Sequence, residues 1–236
     1  MRRAVLFDLG GTLVQYFDNA EASAVYEEAI SGVEQLLRER NLLTVDPIEV
    51  HARAGGAHRA PGDHRVRPLE ERLARFFDLG DLSESPRLCT ELNRAFVRPV
   101  FARARRYDDT LPALRELRSR GFALAIVSNT PWGSPGRLWR KQVRKQGLYD
   151  LVDAVVFCTD TGWRKPAPQI FDFALAKTRT DPQHSLFVGD NYEWDVAGPR
   201  AVGMKAVLID RSETGTNSLK SGEVAVRNLH ELLDML

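Results

Sequence analysis

Three apolar runs of this chain each end in side chains that can do polar chemistry. Ala4 to Phe7 delivers Asp8 onto the turn Gly10-Gly11-Thr12, Ala123 to Val127 runs into Ser128 and Asn129, and Ser185 to Val188 runs into Gly189 and Asp190. A carboxylate held where a strand stops can serve as a nucleophile or as a ligand to a hard cation. One such run is weak evidence, because many structural strands end in Asp and glycine. Three in one chain are stronger, and Arg164-Lys165-Pro166, between the second and third, adds a cation. A carboxylate attacking an anionic ester needs positive charge beside it, which Lys165 and a divalent cation on Asp8 and Asp190 could share.

The surrounding elements must bring these runs together. From Tyr107 onward helix and strand patterns alternate: helix Leu111 to Arg120, strand Phe122 to Asn129, helix Gly136 to Gln146, strand Ala154 to Cys158 and helix Gln169 to Thr178. Strand Ser185 to Gly189, helix Glu193 to Val202, strand Lys205 to Ile209 and helix Asn228 to Leu236 follow. Such alternation predicts an α/β fold, a doubly wound parallel sheet with helices on both faces. Sheets of this kind bind ligands at the carboxyl ends of their strands, where Asp8, Ser128 and Asp190 fall.

Between the first and second runs the period is helical. Glu21 to Asn41 sets Ala22, Val25, Ala29, Val33, Leu36 and Leu37 on one side, and further helices are expected over Asp46 to Arg53, Pro68 to Phe77 and Ser83 to Arg103. No strand is expected between Tyr16 and Arg105. The Gly- and Pro-bearing stretch Ala54 to Pro68 reads as a loop, either a solvated connection or a lid that turns His58, Arg59, His64, Arg65 and Arg67 toward an anionic substrate.

Composition narrows the function classes. The 236 residues, 43% of them hydrophobic, suffice for one sizeable core or a core with a smaller accessory domain. With 33 Lys and Arg against 32 Asp and Glu, the formal charge is +1, which argues against nucleic acid or an anionic membrane as partner. Cys89 and Cys158 lie in apolar surroundings without a metal-binding spacing, and there is no exporting or bilayer-spanning apolar run. A soluble, cytoplasmic protein, monomer or homodimer, is expected.

In this order the segments resemble the four motifs of the haloacid dehalogenase superfamily, most of whose members are Mg²⁺-dependent phosphatases. Asp8 to Thr12 is similar to motif I, Ser128 and Asn129 to motif II, Lys165 with Pro166 to motif III, and Gly189-Asp190 with Asp195 to motif IV. The resemblance implies a Rossmann-like core from residues 1–15 and 106–236 and an inserted all-helical cap domain over residues 16–105. It implies Asp8 as nucleophile, Thr12 steadying the turn, Ser128 and the Asn129 backbone donating to phosphoryl oxygens, and Lys165 neutralising charge. It further implies Mg²⁺ on Asp8, Asp190 and the Gly10 carbonyl, with Asp195 behind the metal. The implied substrate is a small phosphorylated metabolite.

One departure stands out. The family's first motif carries a second Asp two residues after the nucleophile, to protonate the leaving alcohol and activate water, and here that position is Gly10. A positioned acid or base contributes about 10²–10⁴-fold. The chain is therefore expected to be a slow phosphatase, to take a substitute from Tyr16, Asp18, His51, His58, Asp63 or His64, or to be a phospho-ligand binding or regulatory protein on the same fold. The superfamily's phosphonate-cleaving branch needs a cap lysine, and none precedes Lys141. Asp190 argues against the metal-free dehalogenase branch, although Trp194 beside Asp195 resembles it. Arg137 and Arg140, after motif II, are candidates to read a second anionic group.

Overall fold

The computed structural model describes residues 2–18, 20–55, 62–211 and 224–236. Six strands form one sheet: β1 (Ala4–Phe7), β4 (Ala123–Ser128), β5 (Ala154–Phe157), β6 (Ser185–Gly189), β7 (Lys205–Ile209) and β8 (Ala225–Val226). Their order is β5-β4-β1-β6-β7-β8, and every pairing is parallel. The remaining two strands, β2 (Val14–Gln15) and β3 (Arg105–Arg106), pair antiparallel as a separate two-stranded ribbon.

Alternation along the strands explains the two-sided covering. Val5, Phe7, Leu124 and Ile126 face α5 (Thr110–Ser119), α6 (Gly136–Lys145) and α10 (Leu229–Asp234), which contribute Leu114, Leu117, Trp139, Val143 and Leu232. Ala4, Leu6, Ala125 and Phe187 face the other way, toward Ile170, Phe171 and Ala174 of α8 (Pro168–Thr178). Two single-turn helices, α7 (Cys158–Thr161) and α9 (Gly198–Ala201), complete this part. The strands are buried on both faces, which is why they read as continuous apolar runs.

Between β2 and β3 lie four helices, α1 (Ala22–Glu39), α2 (Pro47–Gly55), α3 (Leu69–Phe77) and α4 (Pro86–Ala102). They enclose an apolar core of their own, with Tyr26, Ile30, Val33 and Leu37 of α1 against Leu73, Phe76 and Phe77 of α3 and Leu92, Phe96 and Val97 of α4. Trp132, from the segment after β4, enters this cluster beside Phe17, Tyr26 and Phe96 at ring separations of 6.0, 5.2 and 5.5 Å. Among the described residues, no helix is long and apolar enough to cross a membrane.

Three features differ from the sequence reading. The expected helix Glu193 to Val202 is a π-helix over Tyr192–Ala197 followed by α9, because helical periodicity over six residues does not distinguish i+5 from i+4 bonding. The two-residue strands β2, β3 and β8 carry no readable period. The described part of the Ala54 to Pro68 loop is docked rather than solvated: the Val66 N–H donates to the Gly162 carbonyl at 2.9 Å, the Arg164 N–H to that of His64 at 2.8 Å, and Arg65 stacks on Trp163. His58 and Arg59 lie outside the described residues.

Candidate active site

Asp8 stands one residue past β1, at the sheet's carboxyl end, and its N–H donates to the Val188 carbonyl at 2.9 Å. The chain then closes on itself, with the Leu13 and Val14 N–H groups on the Leu9 carbonyl and the Gly11 N–H on that of Val14. Gly11 has φ +77°, and a Cβ there would stand 2.1 Å from Asp190 Oδ2. Only glycine lets the turn and this carboxylate meet so closely. The turn is tied through the Thr12 carbonyl, which accepts from Arg211 at 2.7 and 3.0 Å, while Arg211 also grips Asp109. The Thr12 hydroxyl, expected to do the tying, is buried without a hydrogen-bond partner among the described residues.

Lys165 is 1% exposed, and its ammonium joins two acids, 2.5 Å from Asp8 Oδ1 and 2.6 Å from Asp195 Oδ1. The Asn129 side chain fixes the lysine backbone on both sides, accepting its N–H at 2.9 Å and donating to its carbonyl at 3.2 Å. Burial disfavours the ammonium, but the charges and hydrogen bonds of Asp195 and Asp8 outweigh it, and the Lys165 pKa is raised. Asp195 also accepts the Asn191 N–H at 3.0 Å, and a Cβ on Gly189 would stand 2.3 Å from its Cγ. Burial, set against the pull of Lys165 and helped by the charge of Asp8, lifts Asp195 to about 6.

One carboxylate oxygen from each of Asp8, Asp190 and Asp195 lies within 4.8 Å of the others. Asp190 keeps one side open to solvent, yet protein atoms crowd its carboxyl. That crowding, followed by the charges of Asp8 and Asp195, pushes its pKa well up. A hard cation fits this donor set, since three converging carboxylates offer oxygen ligands whose mutual repulsion it would relieve. Asp8 and Asp190 are the freer donors; both oxygens of Asp195 are already hydrogen-bonded.

Above these groups opens a cavity of about 570 Å³ lined by Asp8, Gly10, Ser128, Asn129 and Asp190, among others. Of the substitutes considered for the missing acid that fall among the described residues, only Tyr16 lines it. Its hydroxyl is buried without a hydrogen-bond partner among the described residues, and burial together with the charge of Asp8 raises its pKa. His51 pairs with Glu27, Asp63 with Arg67, and Asp18 accepts the Glu21 N–H. Arg137 bonds Thr90 and Arg140 pairs with Asp160, so neither reaches the cavity. The sequence reading missed Phe17, Tyr192 and Glu193, which do line it. The signal was present in their adjacency to motifs I and IV.

A family model described as a hydrolase, haloacid dehalogenase-like, matches residues 2–203. Over 216 residues the chain is 28% identical to a glyceraldehyde 3-phosphate phosphatase of Methanopyrus kandleri, covering 90% of this chain and 86% of that protein. It is 33% identical over 168 residues to a phosphoserine phosphatase of Thermus thermophilus, covering 70% and 64% respectively. The crystal structure of a HAD phosphatase from Thermococcus onnurineus superimposes with a TM-score of 0.66 at 26% identity, over 99% of this chain and 97% of that one. A 2-haloacid dehalogenase from Pseudomonas syringae reaches 0.72 at 23% identity over the same shares, a likeness of fold alone. The family match covers the chain from before β1 to the end of α9, and with it all four motif segments. This chain belongs to the haloacid dehalogenase-like hydrolases.

Proposed function

We propose that the protein is a phosphatase that hydrolyses small phosphate monoesters through a phosphorylated Asp8. The observation that carries the reading is the shared Lys165 ammonium, which holds Asp8 at the cavity floor while Asp190 faces it. The names of the two curated relatives support the substrate class. In the first step an Asp8 oxygen attacks phosphorus and the ester P–O bond breaks, its electron pair leaving with the alcohol oxygen. Ser128 and the Asn129 backbone donate to the phosphoryl oxygens, and Lys165 offsets their charge. Water then attacks phosphorus, the bond between phosphorus and the Asp8 oxygen breaks with its electron pair returning to the carboxylate, and a proton of that water restores the group that protonated the alcohol as phosphate leaves.

Asp8, Asp190 and the Gly10 carbonyl would hold Mg²⁺, with Asp195 and Lys165 behind them. When bound, the ion screens the repulsion between carboxylate and phosphoryl group. Donation to the leaving oxygen falls to Tyr16, since position 10 has no side chain. The four-helix insert between β2 and β3 serves as the cap, limiting water at the reacting centre. Gly10 also favours a second reading, a phospho-ligand binding protein with little turnover.

Phosphate release from phenyl phosphate, with and without Mg²⁺, tests the reading, together with acid-quench trapping of the phosphoenzyme. Mg²⁺-dependent release and a label on Asp8, both absent in Asp8→Asn, are expected. Tight phosphate binding without turnover or label would leave the binding-protein reading in its place.

A further inference from the structure

The cavity has a polar floor and unlike walls. Tyr16, Phe17, Trp139, Tyr192 and Trp194 line its sides, and among the described residues no lysine, arginine or histidine does. Among the described residues, the only ionisable wall group besides the tyrosines is Glu193, an acid. Neighbouring cations are committed elsewhere: Arg137 to Thr90, Arg140 to Asp160, Arg67 to Asp63, and Arg65 to the face of Trp163. A second anionic group on a substrate would enter here with no cation among the described wall residues to meet it and with Glu193 at hand. A flat apolar group would instead be offered aromatic faces and edges.

The rim has its own device. The π-helix Tyr192–Ala197, started by Asn191 accepting the Trp194 N–H at 3.0 Å, presents Tyr192, Glu193 and Trp194 together to the cavity. Trp194 is left 38% exposed, a large apolar surface at the mouth that a bound ring would cover.

We propose, resting on the phosphatase reading, that this cavity selects phosphate monoesters whose leaving group is an uncharged ring, with Trp194 determining that choice and Glu193 rejecting a second anionic group. Benzyl phosphate and 2-phosphoglycolate test it, because both leave as alkoxides and differ in ring against carboxylate. The kcat/KM for benzyl phosphate should exceed that for 2-phosphoglycolate at least tenfold. Trp194→Ala should lower the benzyl phosphate value about three- to tenfold, mainly through KM and by more than it lowers the other, with Trp194→Phe keeping most of it. Glu193→Gln should raise the 2-phosphoglycolate value. Calorimetric binding of benzylphosphonate and phosphonoacetate gives the same ranking without turnover. Ring-selective binding without hydrolysis would sink the phosphatase reading alone. Equal binding of the two phosphonates, or equal losses for both esters in Trp194→Ala, would overturn the selectivity.

Discussion

The ring of Tyr16 lies 3.5 Å from the point where a Cβ on Gly10 would stand, an ordinary van der Waals contact. Gly10, unlike Gly11, is outside the left-handed region of backbone space. An L side chain is therefore admissible at position 10, and Gly10→Asp should fold. On an alkyl phosphate its turnover should rise, within the roughly 10²–10⁴-fold range of a positioned acid/base, with a smaller gain on an aryl phosphate, whose leaving group needs no proton. In the wild type the phosphorylated Asp8 should build up as a burst with phenyl phosphate. Steady-state rates on both esters and a rapid-quench trace check this.

Tyr16→Phe separates structure from function at the same place. The hydroxyl is buried without a hydrogen-bond partner among the described residues, so its removal should leave stability unchanged or raise it by up to about 1 kcal/mol. Turnover of alkyl phosphates should fall, by about tenfold for a lost hydrogen bond made in the transition state. Urea denaturation beside kcat measurements decides it, and unchanged kcat would remove Tyr16 from the reaction.

Lys165→Met should be far more disruptive than an exposed lysine substitution. It strips the shared partner from Asp8 and Asp195, both buried, and breaking a buried pair in this way typically loses 3–5 kcal/mol. Asp195, raised by burial and now without the opposing pull of Lys165, keeps a raised pKa in the folded state, so the folded variant binds more protons than the unfolded chain. Its stability should recover as the pH is lowered through that range, the slope following the proton difference. Chemical denaturation between pH 5 and pH 8 measures it.

Asp190→Ala should raise the Mg²⁺ concentration needed for half-maximal activity and weaken the thermal shift that Mg²⁺ gives. Gly11→Ala should act on the same ion indirectly. The new methyl meets Asp190 Oδ2 and must take a left-handed φ, so stability should drop by more than about 1 kcal/mol and the Mg²⁺ requirement should rise. A Gly11→Ala protein with wild-type Mg²⁺ dependence would mean that Asp190 does not depend on the turn.

The strand-ended motifs were legible because burial on both faces writes strands as apolar runs, and their last residues stand out against that background. Asp8, Ser128 and Asp190 were found in this way, Lys165 as the cation between the runs, and Asp195 only through the resemblance of its segment to the fourth family motif. The cavity walls were not. Phe17 follows the first motif and Tyr192 and Glu193 follow Asp190, so adjacency was their only signal; the path of the chain after β2 brings Phe17 to the cavity, and the π-helix brings Tyr192 and Glu193. Asn129 was read as a backbone donor, whereas its side chain holds the Lys165 peptide 36 positions away, a partnership no local pattern encodes. Arg211 escaped notice for the same reason, its carbonyl and carboxylate partners lying 199 and 102 positions back.

The sheet order β5-β4-β1-β6 places the strands leading to Ser128, Asp8 and Asp190 side by side. Adjacent strands stand about 4.8 Å apart because of peptide hydrogen bonding, whatever side chains they carry. The backbone thus acts as a ruler for the site, and the distance between Asp8 and Asp190 is inherited from it. Exchanging the group at position 10 changes which side chain faces Asp8 without touching that ruler. The side chain at position 10 and the spacing of the carboxylates are, in this fold, separately adjustable.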